Sequence, residues 1–436
     1  MKKIFILFLA LAVLFLTGCN QKPHAETSGN PNGGTADNEK PSENWQDALR
    51  GKVVFASGRN DLIDVSSRIV FENSVADAGE YGSSQTYTFY YSKADGKAYV
   101  YCFDPLCDHK DCMACPKNDW ALGWSFGNTF LYQNRFWCVT SYGKLVSFAF
   151  DGTDKRIEYD LNYEFPDDRR YTVWSPCGLY GPYLYISLKL DQSGFERQTL
   201  RYNMETKEME NLTEKTGNVI VPHYFYNGEI YGTVSSAETV DAFCKSDTDL
   251  KNLEFLEPPE EGHTITYDHA VGSVLIGDVY KERTSIFELP EWLGISFYNI
   301  ETGEKKMMTA EDFGMENPNI IYTTDEYVYF YNSESLTIGT TTVERPNGSQ
   351  VIKIQKYNDG KLYRMHADGT NIVCVYDNPD YELNENMVIY GDKVVMQGRY
   401  IKLENGEKKI WGGALQVADI NPDGTFGEFT EVEVLQ

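Results

Sequence analysis

Positive charge is scarce in this 436-residue chain: 39 Lys and Arg stand against 65 Asp and Glu, a net charge of −26. Nucleic-acid phosphates need a basic footprint, so the composition argues against nucleic acid as a partner, and equally against adsorption to an anionic bilayer through surface lysines. Acidity of this size chiefly supports solubility. Histidine is scarce as well, with six in the whole chain, so imidazole chemistry is confined to a few positions. No G-x-S-x-G elbow, P-loop or dinucleotide fingerprint occurs, which removes the chemistries most readily read from sequence. No window of a dozen residues in the body of the chain keeps a clean helical period, so a helical fold is also excluded.

The first apolar run is a targeting segment. Lys2 and Lys3 precede a continuous apolar stretch over residues 4–15, closed by Leu16-Thr17-Gly18-Cys19. A run this short with small residues at its exit reads as a signal peptide, residues 1–18, rather than a spanning helix. The cysteine at the boundary resembles the lipobox of bacterial lipoproteins. That resemblance implies cleavage before Cys19, acylation of Cys19, and a body lipid-anchored on the extracytoplasmic face of the cell membrane; an ordinary secretory signal or a retained anchor is the alternative. Residues 19–48 follow as a flexible linker, because SGNPNGGTADNEKPSEN holds too little apolar surface to fold. Residues 45–50 read as a short helical turn or as the first contact with the body.

The remainder, residues 49–436, is built on one repeated phrase. Residues 145–157, LVSFAFDGTDKRI, read as strand, tight turn and strand. The same phrase turns at Asp95, Asp151, Glu205, Asp247, Glu301, Asp368 and Asp423, at spacings of 56, 54, 42, 54, 67 and 55 residues. Asp and Asn accept hydrogen bonds from their own backbone and Gly takes positive φ freely, so these acidic residues are hairpin corners, not catalytic carboxylates. Ser92, Phe148, Tyr202, Cys244, Tyr298, Met365 and Ile420 stand three positions before the turns, and most are apolar, as expected of a strand with one face packed on a neighbouring sheet. Short aromatic and β-branched strands precede each phrase. Units of about four strands repeated in this way close into an all-β propeller of four-stranded antiparallel blades. Seven turns give seven blades, with six or eight as alternatives because the first unit is ambiguous; an open solenoid would need shorter repeats, and packed sandwiches would not keep one hairpin signature. Residues 281–294 and 331–350 are inserts in the fifth and sixth units.

The phrases LVSFAFDGT, LYRMHADGT and EYVYFYN, with the segment CFDPLCDHKDCMAC, resemble the TolB-like and DUF5050-like propeller lipoproteins of Gram-positive bacteria. The resemblance spans most of the mature chain through loose motifs. It implies fold and location and almost no reaction.

Chemistry is expected where the chain departs from the repeat. Cys102, Cys107, His109, Cys112 and Cys115 fall within fourteen residues. Three thiolates and an imidazole suit a closed structural zinc site, the one cofactor the sequence suggests. Extracytoplasmic cysteines are usually oxidised, and eight lie beyond Cys19, so local disulfides are the other reading. Cys138 and Cys374 sit in apolar strands and read as buried; Cys177 and Cys244 have no partner by spacing. His263 and His269 flank ITYD beside Glu260, Glu261 and Asp268, a composition able to bind a metal or move a proton, though a loop entering a blade is the plainer reading. His223 and His366 carry little signal. Residues 165–178, 257–269, 309–319 and 377–386 are the candidate ligand loops; the adjacent Asp167 and Asp168 are poorly placed to flank one glycosidic bond. The resulting expectation is a monomeric, non-catalytic binding module for a glycan, a peptide or a partner protein. The alternative is an extracytoplasmic polysaccharide lyase or glycosidase on a propeller scaffold.

Overall fold

A computed structural model describes residues 45–52, 54–55, 62–65, 67–76, 84–100, 129–140, 143–150, 154–161, 172–189, 197–234, 242–256, 262–281, 291–333, 336–344, 350–404 and 407–435. Cys19 and the Cys102, Cys107, His109, Cys112 and Cys115 segment lie outside them, as do Glu260, Glu261, Asp167 and Asp168.

The strands form seven four-stranded antiparallel blades, each a meander in chain order. Blade 1 runs from Leu62–Val65 to Lys97–Val100, blade 2 from Thr129–Tyr132 to Arg156–Asp160, and blade 3 from Thr172–Tyr180 to Met209–Asn211. Blade 4 runs from Val221–Tyr226 to Glu254–Phe255, blade 5 from His263–Val271 to Lys305–Met308, blade 6 from Pro318–Thr323 to Val373–Asp377, and blade 7 from Tyr381–Tyr390 to Thr430–Glu431. First strands of successive blades lie side by side, as Thr172–Tyr180 does with Val221–Tyr226 and Tyr381–Tyr390 does with Leu62–Val65, so they ring the central axis. The insert in the sixth unit is a hairpin of its own, Leu336–Glu344 with Gln350–Tyr357.

Among the described residues the acidic turn joins the third and fourth strands of six blades; Asp151, between the third and fourth strands of blade 2, lies outside them. Asp368 accepts from the Thr370 backbone N–H at 2.9 Å and hydroxyl at 2.6 Å, and Asp423 does the same with Thr425 at 2.9 and 2.7 Å. In blades 3 and 5 the accepting group is instead the asparagine two residues earlier. Asn203 takes the N–H groups of Glu205 and Thr206, and Asn299 those of Glu301 and Thr302. The glutamates are therefore passengers in turns that asparagine makes.

Each blade buries both faces against its neighbours, and the seven interfaces hold seven apolar clusters. Val70, Phe136 and Phe148 join blades 1 and 2, and Trp137, Leu145, Ile186 and Tyr202 join blades 2 and 3. Tyr180, Tyr185 and Phe225 join blades 3 and 4, Tyr224 and Tyr267 blades 4 and 5, and Ile276, Phe297 and Phe330 blades 5 and 6. Tyr329, Tyr381 and Met396 join blades 6 and 7, and Ile69, Tyr91, Val395 and Leu415 close the ring between blades 7 and 1. Cys374 corrects the expectation from sequence. It lies in the outermost strand of blade 6 and is exposed, whereas Cys138 is buried; an all-apolar run on an outer strand still shows alternate residues to solvent.

Both ends of the described chain stitch the ring. Val434–Leu435 pairs in parallel with the outermost strand of blade 1, through Ala98 and Tyr99. Val54–Phe55 pairs antiparallel with Tyr224–Phe225 on the axial edge of blade 4. Just ahead of it helix α1, Trp45–Leu49, sets Trp45 edge-on to Tyr180 and Tyr183, with ring centroids at 5.1 and 6.3 Å. Gly181 makes the close approach possible: it has φ +58°, and a Cβ there would come within 2.4 Å of the indole. The Gly51 N–H donates to Asn227 Oδ1 at 2.8 Å. Gly181 and Asn227 belong to first-to-second-strand turns, so residues 45–55 dock at the end of the propeller that carries those turns.

The blade 7–1 closure also contains a buried ion pair. Lys93 Nζ donates to Asp64 Oδ1 at 2.6 Å and lies 4.5 Å above the Tyr390 ring, while Tyr390 and Tyr91 hydroxyls meet at 3.1 Å. Burial raises the Asp64 carboxyl above its usual range despite the lysine, so the pair is costly to break rather than strongly favourable to make. Lys93→Met should therefore lower stability by about 3–5 kcal/mol in urea unfolding. Lys97→Met, which removes the exposed Lys97–Glu433 pair, should change it by less than about 1 kcal/mol.

Candidate binding site at the axial wall

The antiparallel meander sorts connections between the two ends of the molecule. First-to-second and third-to-fourth turns emerge at the end where residues 45–55 dock. Second-to-third connections and blade-to-blade crossings emerge at the other. The expected ligand stretches do coincide with blade-to-blade crossings, but they are shorter than the sequence suggested. Residues 172–178, 263–269, 318–319 and 381–386 already belong to inner strands. His263 and His269 thus sit in a strand, His263–Val271, not in an entry loop. The crossing into blade 6 is instead ordered by helix α2, Ala310–Phe313, where Asp312 accepts from the Thr309 backbone N–H at 2.7 Å.

The inner strands of blades 3 to 7 each break register against their second strands. The shifts fall between Trp174 and Gly178, Pro222 and Tyr224, Tyr267 and His269, Ile320 and Tyr322, and Leu383 and Met387. A bulge adds a residue that the ladder cannot pair and re-aims its side chain. In blades 4 and 5 the extra residues are His223 and Asp268, and they meet across the blade boundary.

His223 is buried. Its Nδ1 is 3.3 Å from the Tyr267 carbonyl oxygen and 3.8 Å from Asp268 Oδ1, and its Nε2 is 3.3 Å from Thr233 Oγ1. Donation from Nδ1–H to the carbonyl leaves Nε2 to accept from the threonine hydroxyl. Asp268 keeps 37% of its side-chain surface in solvent, so the pair is accessible from one side. Asp278, on the second strand of blade 5, adds a further carboxyl. Burial pushes it up to about 6; the Trp292 indole N–H, donating to Oδ1 at 2.8 Å, opposes the shift, and the charge of Asp268 adds to it. Blades 4 and 5 therefore bring one imidazole and one carboxyl together across their boundary, while Asp278 shares the face of its strand with Ile276, toward blade 6, beside Trp292. Such a wall can take hydrogen-bonding or cationic groups, or exchange a proton. Among the described residues no group of three or more His, Cys, Asp or Glu is placed to hold a metal ion.

Sequence reasoning passed over His223 and Asp278, yet a signal was present. The second strands read IYGTV, LIGDV and MQGRY, each with a glycine inside an apolar run. Gly232, Gly277 and Gly398 stand opposite Pro222, Tyr267 and Leu383, the residues flanking the bulges. A Cβ at Gly232 would come 2.0 Å from the Val221 carbonyl oxygen, and one at Gly277 2.1 Å from that of Thr266. A glycine inside a strand thus marks where the partner strand bulges toward it.

The raised carboxyl sets a pH dependence. Asp278 binds its proton more tightly folded than unfolded, so its contribution to stability is present below about pH 4 and is lost as pH rises through about 6. Asp278→Asn keeps an acceptor for Trp292 and removes the titration. Its stability relative to the parent should rise by about 2 kcal/mol between pH 4 and pH 8, read from urea midpoints at both. Gly277→Ala, by contrast, should cost about 1–3 kcal/mol at either pH, because backbone must move to admit the methyl group.

No protein-family model matches the chain, and no curated protein sequence matches it. Solved structures similar to this chain include an oligogalacturonate lyase from Vibrio parahaemolyticus, with 11% identity over 86% of this chain and 93% of that one and a TM-score of 0.47. TolB from Acinetobacter baumannii has 13% identity over 84% and 80%, with a TM-score of 0.32. A puromycin-hydrolyzing peptidase from Mycobacterium tuberculosis has 9% identity over 89% of this chain and 54% of that one, with a TM-score of 0.45. An oligogalacturonate lyase has also been solved in complex with manganese. At these identities neither a substrate nor a metal carries over to this chain.

Proposed function

We propose that this chain is a lipid-anchored, extracytoplasmic propeller that acts as a monomeric, non-catalytic binding module for a glycan, a peptide or a partner protein. The observation that carries the reading is the docking of residues 45–55 on the strand-turn end of blades 3 and 4. Cys19 is the residue acylated, and the linker that follows it leads into this docked segment. The tether thereby leaves the body at one end, and the end bearing the blade-to-blade crossings is presented away from the membrane. The Cys102, Cys107, His109, Cys112 and Cys115 segment is a structural staple in this reading, closed by zinc or by disulfides.

A second reading, an extracytoplasmic polysaccharide lyase or glycosidase, draws on Asp268 and Asp278. General acid–base chemistry on a glycan needs a pair of carboxyls, one of them keeping its proton, and burial raises the Asp278 carboxyl above its usual range. Turnover of an acidic or neutral polysaccharide that disappears in Asp278→Asn would favour it over the binding reading.

The test of the main reading is fractionation of cells expressing the full chain. The parent protein should sediment with membranes and incorporate labelled fatty acid, and Cys19→Ala should do neither. An unacylated parent protein in the soluble fraction would overturn the anchored reading.

A further inference from the structure

Residues 45–55 are attached to the propeller from outside its core. The buried members of the cluster between blades 3 and 4 all lie between Tyr180 and Leu250, and Trp45, Leu49 and Val54 pack against that cluster while keeping part of their surface in solvent. Helix α1 buries none of its five residues, and a helix this short does not hold itself. Its Asp47–Arg50 pair is exposed on both partners and contributes little. The segment is therefore held by the contact of Trp45, the Gly51–Asn227 hydrogen bond and two ladder pairs.

The socket that receives Trp45 is built without it. The Tyr180 hydroxyl accepts from the Gly228 N–H at 2.9 Å, and its ring stacks on Phe225 with centroids 5.1 Å apart, so blades 3 and 4 fix its position together. The Arg201 guanidinium lies 5.1 Å from the centroid of the Tyr183 ring. Between the two tyrosines in sequence, Gly181 leaves the space that the indole enters.

The course of the segment ties this socket to the polar pair. Val221–Tyr226 runs toward the dock end, and Val54–Phe55 is antiparallel to it. The segment thus enters at Trp45 and runs inward along the axial edge. It pairs with Phe225 and then with Tyr224, and the next residue of that inner strand is His223, whose imidazole stands 3.8 Å from Asp268. Val54–Phe55 also lies beside the inner strand of blade 3, so it stands inside the ring of inner strands.

We propose that residues 45–55 form a lid over the dock-end side of the His223–Asp268 pair, latched by Trp45. With the lid seated, the pair is reached from the crossing end alone. With Trp45 out of its socket, one hydrogen bond and two ladder pairs do not keep the segment on blade 4, and the pair opens to the dock end as well. Seating of the segment and access to the pair are then one two-state equilibrium. The inference goes beyond the anchored reading and does not depend on it.

Diethyl pyrocarbonate labelling of the full chain, read at each histidine by mass spectrometry alongside hydrogen exchange, tests it. In the parent protein His223 should label about tenfold or more slower than His366, which lies on blade 6 away from the segment. Trp45→Ala and, separately, Gly181→Ala, whose Cβ would come within 2.4 Å of the indole, should each raise His223 labelling by about tenfold and leave that of His366 unchanged. In both variants the amides of Val54–Phe55 should exchange as an open chain does. Labelling of His223 in the parent as fast as in the variants would overturn the proposal. So would slow labelling in a variant whose Val54–Phe55 amides exchange freely, because the segment would then not be what covers the pair. Val54–Phe55 amides that stay protected in both variants would overturn it too, by showing that Trp45 is not the latch. None of these outcomes bears on Cys19 acylation, so a failure here is distinguishable from a failure of the anchored reading.

Discussion

A ring of blades depends on its closure. Each blade is a sheet apolar on both faces, and a sheet at an open end would leave one of those faces in water. Burial of apolar area is the dominant favourable contribution to folding, so the interface between blades 7 and 1 decides whether the other six can persist. Here closure is made by Ile69, Tyr91, Val395 and Leu415, by the Lys93–Asp64 pair under Tyr390, and by Val434–Leu435 laid along the outer edge of blade 1. The C-terminal strand adds to a blade that already has four strands of its own, rather than completing a blade begun elsewhere.

The N-terminal stitch has a different consequence. Inner strands leave their axial backbone edge without a sheet neighbour, and Val54–Phe55 takes up that edge on blade 4. With Trp45 seated over Gly181, the segment gives the propeller a defined front and back relative to whatever precedes it. The proposed function follows from that polarity more than from any single side chain. His223 and Asp268 lie close to the docked segment, since Phe55 pairs with Tyr224, the neighbour of His223.

The architecture was legible in the sequence because its signal is local and repeated. A turn needs an acceptor and a positive-φ residue within four positions, and the chain supplies both at Asp95, Asp247, Asp368 and Asp423. Even where Asn203 and Asn299 make the turn instead, the neighbouring glutamates kept the spacing visible. The site was less legible because it arises from register across strands. His223 and Asp268 stand 45 residues apart in sequence and meet only because two inner strands bulge at the same level. Asp278 looks like an ordinary solvent-facing residue in LIGDV until Trp292 and Asp268 are placed around it. Cys374 misled in the opposite direction, since its apolar neighbours do not reveal that the strand is the outermost of its blade.

The central claim is that residues 45–55 are part of the propeller and dock at one of its two ends. Hydrogen exchange of the protein tests it most directly. The amides of Val54–Phe55 should be protected to a degree comparable with Tyr224–Phe225, the strand they pair with. Exchange of Val54–Phe55 at the rate of an open chain, while Tyr224–Phe225 stays protected, would contradict the account.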